Sequence, residues 1–356
     1  MKNISILIVP LTIIFFFSKP MFSEDRQYGF TAYKVYDKDG KEQDFAKVLD
    51  KAMDADIVFF GELHNNVIAH WLELELAKGM FFKKKEGKSL VIGAEMFESD
   101  DQLVLDEYLQ GKIPEKNFEQ EAKLWNNYKT DYKPLLTFAF ENKLPYIATN
   151  APRRYAALVN NSGFDGLNDL SDVAKSFIAP LPIDVDLELP CYKKMEEMMG
   201  GHSPMVKKTI DTSNLKTVSP TQVGEAGEKI AFKDSIGSLK EMATKQAMPK
   251  MPVQLEPGKM NNKMQNFKQA QAIKDATMAH FIIKNLPSNG IFLHLNGAYH
   301  SDNYEGIVWF IKKAKPQKKI LTITTIEKDN IDDISDEDMK KADYIIVVPS
   351  SMNGSY

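Results

Sequence analysis

The stretch Ile57-Val-Phe-Phe-Gly-Glu-Leu-His64-Asn-Asn decides the fold of this chain. Four apolar residues that favour β-strands end at Gly61, and Glu62 and His64 follow within three positions. A helical pattern then begins at Ile68. A strand, a tight turn with ionisable side chains and a helix, in that order, is how α/β proteins build sites at the carboxyl ends of strands.

The same alternation continues along the chain. Strands are predicted at residues 56–60, 90–94, 144–149, 291–295, 320–325 and 344–348, and the helices predicted between them include 102–109, 119–127 and 134–142. Alternating strands and helices favour a parallel sheet with right-handed crossovers. The sequence therefore predicts an α/β fold, with a mostly parallel central sheet flanked by helices and a smaller inserted helical subdomain.

The N-terminus carries a targeting pattern. Lys2 precedes an almost wholly apolar run from Ile4 to Phe17, which has the size of a secretory h-region and is short for a membrane span. Residues 1–23 are predicted to be a signal peptide, with an uncleaved anchor as the alternative. Because the single cysteine is Cys191, the sequence predicts neither an N-terminal lipid-modified cysteine nor an intrachain disulfide.

The remaining 333 positions of the 356-residue chain divide by composition. Residues 24–165 and 263–356 are predicted to form two parts of one α/β core. Residues 166–262 are predicted to form the inserted helical subdomain, with a flexible, low-complexity tail rich in Lys, Ser, Thr, Met and Pro. A net charge of −4 gives no electrostatic case for binding nucleic acid.

Polar side chains follow four of the predicted strands. They are Glu62 with His64, Glu95, Asn150 with Arg153 and Arg154, and Asn296 with His300. The carboxyl ends of parallel strands share one edge of a sheet, so these groups are predicted to face one crevice. His64 and His300 stand in the same Gly-x-x-His spacing, which favours a shared site over two structural histidines.

The chemistry of these side chains leaves alternatives open. The imidazoles of His64 and His300 are suited to metal binding, proton transfer or cofactor contact. Glu62 and Glu95 are either site carboxylates or caps of the helices that follow. Arg153 and Arg154 either meet anionic ligand groups or pair with acidic neighbours on the surface.

The segment from Cys191 to His202 is a second candidate site. On a helix, Tyr192, Met195 and Met199 share a face, and His202 follows a Gly-Gly stop. Tyr, Met and His are all haem iron ligands, so the segment is a candidate haem contact. Methionines that fill an ordinary core are the alternative.

The motifs of the chain resemble one known family. Gly61-Glu-Leu-His-Asn-Asn, Gly93-Ala-Glu-Met-Phe-Glu, Asp106-Glu-Tyr-Leu-Gln-Gly, Asn150-Ala-Pro-Arg-Arg and Asn296-Gly-Ala-Tyr-His, in this order, are similar to those of the ChaN-like haem-binding proteins. These belong to the wider Tiki/TraB/erythromycin-esterase-like superfamily. The resemblance covers residues 50–180 and 265–350.

The resemblance implies an exported bacterial protein that binds haem and acts in haem or iron acquisition. It implies haem held between two protomers with a tyrosine ligand, for which Tyr192 is the first candidate and Tyr299 the second, and outer-membrane haem-uptake machinery as a partner. Many members are lipoproteins, and this chain lacks the necessary cysteine. A periplasmic or cell-surface location without lipid attachment is therefore expected.

The superfamily also implies an alternative from another class. Its paired Gly-x-x-His elements and acidic residues map to Glu62, His64, Glu95 and His300. In Tiki-like members such residues serve metal-dependent proteolysis, and in the esterase-like members they serve hydrolysis. The alternative function is thus a metal-dependent hydrolase in which these four residues hold a divalent ion or activate water.

Overall fold

The computed structural model describes residues 31–194 and 257–355, with side chains from residue 262 in the second range. Within these ranges, eight strands form one sheet in the order β2-β1-β8-β7-β3-β6-β4-β5. The strands are β1 Lys34–Asp37, β2 Glu42–Gln43, β3 Ile57–Glu62, β4 Ser89–Glu98, β5 Tyr146–Asn150, β6 Gly290–Gly297, β7 Ile320–Lys328 and β8 Tyr344–Pro349.

The sheet is parallel from β8 to β5, and β1 and β2 extend it as antiparallel strands. The predicted α/β fold with a mostly parallel central sheet is confirmed. Strands β3 and β6 pair at its centre, with Glu62 opposite Gly297. The carboxyl ends of β3, β4 and β6 therefore lie side by side.

Helices cover both faces of the sheet. They are α1 Phe45–Ala52, α2 Val67–Lys83, α3 Gln102–Leu109, α4 Glu115–Glu121, α5 Lys133–Glu141, α6 Arg153–Ser162, α7 Asp172–Lys175, α8 Pro257–Lys284, α9 Ile307–Ala314 and α10 Asp336–Met339. Among the helices of the described ranges, none is both long enough and apolar enough to cross a membrane.

Strand β3 shows why this sheet has two cores. All six of its residues are buried, and successive side chains point to opposite faces. Val58 and Phe60 join a core shared with α2 and α5, and Ile57 and Phe59 join a core shared with α8 and α9. A strand buried on both faces reads as a continuous apolar run, which is the pattern seen at 57–60.

The turn after β3 depends on a glycine and a helix cap. A Cβ on Gly61 would lie 2.9 Å from the Ala298 Cα, so only glycine allows the β3 end and the segment after β6 to approach this closely. The Asn66 side chain accepts hydrogen bonds from the Ile68 and Ala69 amides at 3.1 and 3.0 Å, which starts α2.

The prediction of a helix at residues 119–127 is wrong. Helix α4 begins earlier, at Glu115, and its last helical residue is Glu121, because Ala122 adopts an extended conformation. The chain then turns so that Trp125 packs edge-on against His64 at 4.8 Å between ring centroids. A π-helical turn follows at Tyr128–Tyr132, a geometry frequent at functional sites.

The described part of the predicted insertion packs along the core. Its apolar side chains, among them Leu167 and Ile178, cluster with Val159 of α6 and Ile273 of α8. Residues 195–256, which include most of the predicted subdomain and its tail, lie outside the described residues, as does the predicted signal peptide. The domain boundaries stay a prediction.

Candidate functional site

The first part of the site is a histidine–carboxylate pair at the end of β3. His64 Nδ1 lies 2.6 Å from Glu62 Oε1, and its side chain is 38% exposed while that of Glu62 is fully buried. Burial by itself raises the pKa of Glu62, but hydrogen bonds with His64 and His70 outweigh it and hold that pKa well below its usual range. Glu62 is therefore an ionised acceptor, and His64 donates to it.

A tyrosine and an asparagine from the segment after α4 hold this pair. The Tyr132 hydroxyl donates to Glu62 Oε1 at 2.9 Å, and the Asn127 amide donates to the His64 carbonyl at 2.6 Å. Both side chains are buried. They fix the backbone of His64 and the orientation of its ring.

His70 lies beneath the pair on the first turn of α2. Its Nδ1 is 3.2 Å from both Glu62 Oε2 and Glu73 Oε2, and its Nε2 is 3.2 Å from the His64 carbonyl. Burial opposes the charge of this imidazole, but Glu62 and Glu73 raise the pKa of His70 to about 11. Burial and the Glu62 carboxylate raise the pKa of Glu73 well above its ordinary value.

The second part of the site is a buried chain of polar groups that ends at Glu95. His300 Nε2 lies 3.2 Å from Glu95 Oε1, and its Nδ1 lies 2.5 Å from Asp275 Oδ1. The Tyr192 hydroxyl donates to the other Asp275 oxygen at 2.8 Å. Despite burial, Glu95 and Asp275 raise the pKa of His300 to about 10, so it is a cation at neutral pH.

Gly297 joins the two parts. Its amide donates to Glu95 Oε2 at 2.9 Å. A Cβ at this position would lie 2.7 Å from His64 Cε1 and Nε2, so the imidazole of His64 packs directly on the glycine backbone. Burial lowers the pKa of His64, but the Glu62 carboxylate and then Glu95 raise it, and the net result is a raised pKa. The predicted crevice thus contains both Gly-x-x-His motifs.

Neither Glu62 nor Glu95 caps a helix. The cap of α2 is Asn66, and Glu95 lies within β4 and accepts from Gly297. His294 is a buried residue of β6, with Nε2 2.9 Å from the Thr149 hydroxyl and Nδ1 3.1 Å from Asn296 Oδ1. Burial lowers the pKa of His294 to about 4.

Two exposed arginines and the partly buried Trp125 form the rim of the crevice. Arg153 lies over the Trp125 ring at 5.9 Å, and its Nε is 3.1 Å from Glu98 Oε1. Arg154 pairs with Asp100 at 2.5 Å. Both arginines therefore have the acidic neighbours that the surface alternative predicts, and Arg153, whose side chain is 63% exposed, also faces the rim.

The two candidate iron ligands have other partners. Tyr192 is fully buried with its hydroxyl on Asp275, and the Tyr299 hydroxyl donates to the Cys191 carbonyl at 2.7 Å. The prediction that Tyr192 presents its oxygen to a haem iron does not fit this burial, because the side chain holds Asp275 instead. Met195, Met199 and His202 lie outside the described residues.

The predicted metal set does not converge either. Within the described ranges, Glu62, His64, Glu95 and His300 form no group with ligand atoms close enough to share an ion. Both nitrogens of His300 already face carboxylates, Glu95 at Nε2 and Asp275 at Nδ1. These four residues are better suited to moving protons, since a half-exposed imidazole is held by a buried carboxylate.

Sequence reasoning missed several site residues. Asp275, Glu73, Trp125 and Tyr132 are not among the predicted site residues, and neither is His70. His70 and Glu73 stand three apart on α2, which is a signal for a shared helix face. Asp275 lies among the buried apolar residues Ile273 and Ala276 of α8, and a buried carboxylate of this kind requires a partner.

Comparison with known proteins gives one family and several structures. The family model described as haem-binding uptake, Tiki superfamily, ChaN matches residues 48–311. The structure of ChaN of Campylobacter jejuni with cofacially bound haem is 16% identical, with a TM-score of 0.57 over 89% of this chain and 96% of that chain.

A second solved structure is more distant. An erythromycin esterase variant in its open conformation is 10% identical, with a TM-score of 0.37 over 83% of this chain and 77% of that one. No curated protein sequence matches the chain. The likeness to the C. jejuni structure therefore supports the fold of this chain, and the match over residues 48–311 supports its assignment to a family.

Proposed function

Because the chain belongs to the ChaN haem-binding family of the Tiki superfamily, we propose that it binds haem and acts in haem or iron acquisition. The observation that carries this proposal is the family match over residues 48–311. The C. jejuni protein binds haem cofacially, and we propose that this chain holds haem between the two protomers of a homodimer. Haem would supply the iron that such a protein carries.

The rim of the crevice has residues that fit haem. The Trp125 ring and the half-exposed His64 imidazole offer flat aromatic surface to a porphyrin, and the Arg153 guanidinium is suited to a propionate. Glu98, which pairs with Arg153, is the group that a propionate would replace.

A haemin titration tests this function. We expect a shifted Soret band that saturates with the wild-type chain, and about tenfold weaker binding in Arg153→Gln, which corresponds to about 1.4 kcal/mol. Lys78→Gln, which removes a half-exposed cation on α2, serves as the control and should bind haem normally. A titration without a shifted band refutes haem binding, and normal affinity of Arg153→Gln refutes only its location at the rim.

Export and dimer formation need their own measurements. We propose that residues 1–23 direct export to the periplasm or cell surface, where outer-membrane haem-uptake machinery is the partner. Cell fractionation and the intact mass of the mature protein test export. Sedimentation with and without haemin tests the dimer, which should increase with haem.

Hydrolysis is the second candidate function, and one observation favours it. His64 is half exposed, is held by ionised Glu62 and lies beside Glu95, an arrangement suited to general acid–base catalysis on water. Ester and peptide substrates would be hydrolysed by the wild type and by His280→Ala, and not by His64→Ala. An inactive wild type, tested with and without divalent metals, would remove this candidate.

A further inference from the structure

Three side chains beneath His64 offer donor atoms to one point. Single ligand atoms of Glu62, His70 and Glu73 all lie within 4.8 Å of one another. Their residues are only 1%, 5% and 2% exposed. One imidazole nitrogen and two carboxylate oxygens are a donor set typical of divalent first-row metals.

One carboxylate oxygen in this cluster has no hydrogen bond. Glu73 Oε1 is buried without a hydrogen-bond partner among the described residues, and the contact of Glu62 Oε2 within the cluster is with His70 Nδ1 at 3.2 Å. A bound cation would satisfy the Glu73 oxygen, since a buried acceptor without a partner is unfavourable. A divalent ion would take the place of the His70 proton and neutralise the two carboxylates together.

The geometry of His70 matches that of a metal-binding histidine. Its Nδ1 lies 3.2 Å from an oxygen of each glutamate. Ligands that bind one ion at about 2.1 Å lie about 3.0 Å apart as neighbours in octahedral geometry and about 3.4 Å apart in tetrahedral geometry, and the spacing at His70 falls between the two. The opposite nitrogen, Nε2, lies 3.2 Å from the His64 carbonyl and 3.5 Å from Asp131 Oδ2, the backbone and carboxylate partners that orient metal-bound imidazoles.

We propose that Glu62, His70 and Glu73 bind one divalent transition-metal ion, Zn²⁺ or Mn²⁺, as a buried structural site separate from haem. Glu62 links this site to the crevice, because its Oε1 accepts from Tyr132 and lies against His64 while its Oε2 faces His70. The ion would therefore fix the carboxylate that orients His64. It would hold the π-helical turn and the start of α2 against the end of β3.

Metal analysis of the full chain tests the proposal without reference to haem. We expect about one equivalent of Zn or Mn per wild-type chain by mass spectrometry. After chelator treatment, the melting temperature should fall and should recover on addition of Zn²⁺ or Mn²⁺. Glu73→Gln keeps the side-chain shape and should bind the metal at least tenfold more weakly.

The matched control is Glu75→Gln, which lies on the same helix, is partly exposed and pairs with Lys78. It should retain the metal content of the wild type. A folded wild-type chain with less than a tenth of an equivalent and no change in melting temperature with either ion overturns the proposal. Equal metal content in Glu73→Gln and the wild type also overturns it, and haemin binding can be normal in both cases.

Discussion

His300 provides the sharpest test of the site electrostatics. We predict that His300→Gln destabilises the protein at pH 7 by about 3–5 kcal/mol, because removing one partner from a buried ionic group leaves the other charges uncompensated. Glu95 at 3.2 Å and Asp275 at 2.5 Å would lose the cation between them. The pKa of His300, raised from 6.5 to about 10, corresponds to roughly 4 kcal/mol at pH 7 and agrees with this range.

The destabilisation caused by His300→Gln should decrease as the pH rises. A group whose pKa is raised in the folded state stabilises the protein fully below its unfolded pKa, here 6.5, and this stabilisation is lost as the pH rises through about 10. The difference in the free energy of unfolding between wild type and His300→Gln should therefore shrink between pH 7 and pH values above 10. Urea denaturation at several pH values measures it.

His280→Gln is the control for this series. His280 is a half-buried histidine on α8 whose pKa is lowered by burial and by Lys284, so the substitution removes no cation at neutral pH. We expect a small effect without the alkaline trend. A His300→Gln penalty below about 1 kcal/mol at pH 7, or one that persists unchanged above pH 10, would refute the reasoning.

Two further substitutions, one of them with a matched control, test the contacts around the site. Tyr192→Phe should cost about 1–3 kcal/mol in urea denaturation, because it removes a donor to buried Asp275, whereas Tyr128→Phe, which removes a buried hydroxyl without a partner in the described structure, should be close to neutral. Equal costs for the two would contradict this. Gly297→Ala should destabilise the protein by about 1–3 kcal/mol and shift the NMR signals of the His64 ring, because the added Cβ would displace that ring. Unchanged His64 signals would show that the ring packs less tightly on residue 297 than the structure indicates.

Local patterns predicted the elements, and tertiary contacts corrected one of them. The strands at 57–60, 90–94 and 291–295 follow from apolar runs bounded by turns, and the structure contains each of them. The helix predicted at 119–127 fails because the chain after Glu121 turns to place Trp125 on His64, a contact across 61 positions. No local pattern encodes such a contact.

The sequence by itself determined the α/β order, the family and the positions of Glu62, His64, Glu95 and His300 at one sheet edge. Each of these depends on where a strand ends, which the adjacent residues decide. Only the tertiary structure brought Asp275 to His300 across 25 residues and Tyr132 to Glu62 across 70. Those contacts depend on how helices and turns pack against the sheet, and the charged partners that they bring together shift the pKa values of Glu62, Glu95 and His300 against the effect of burial.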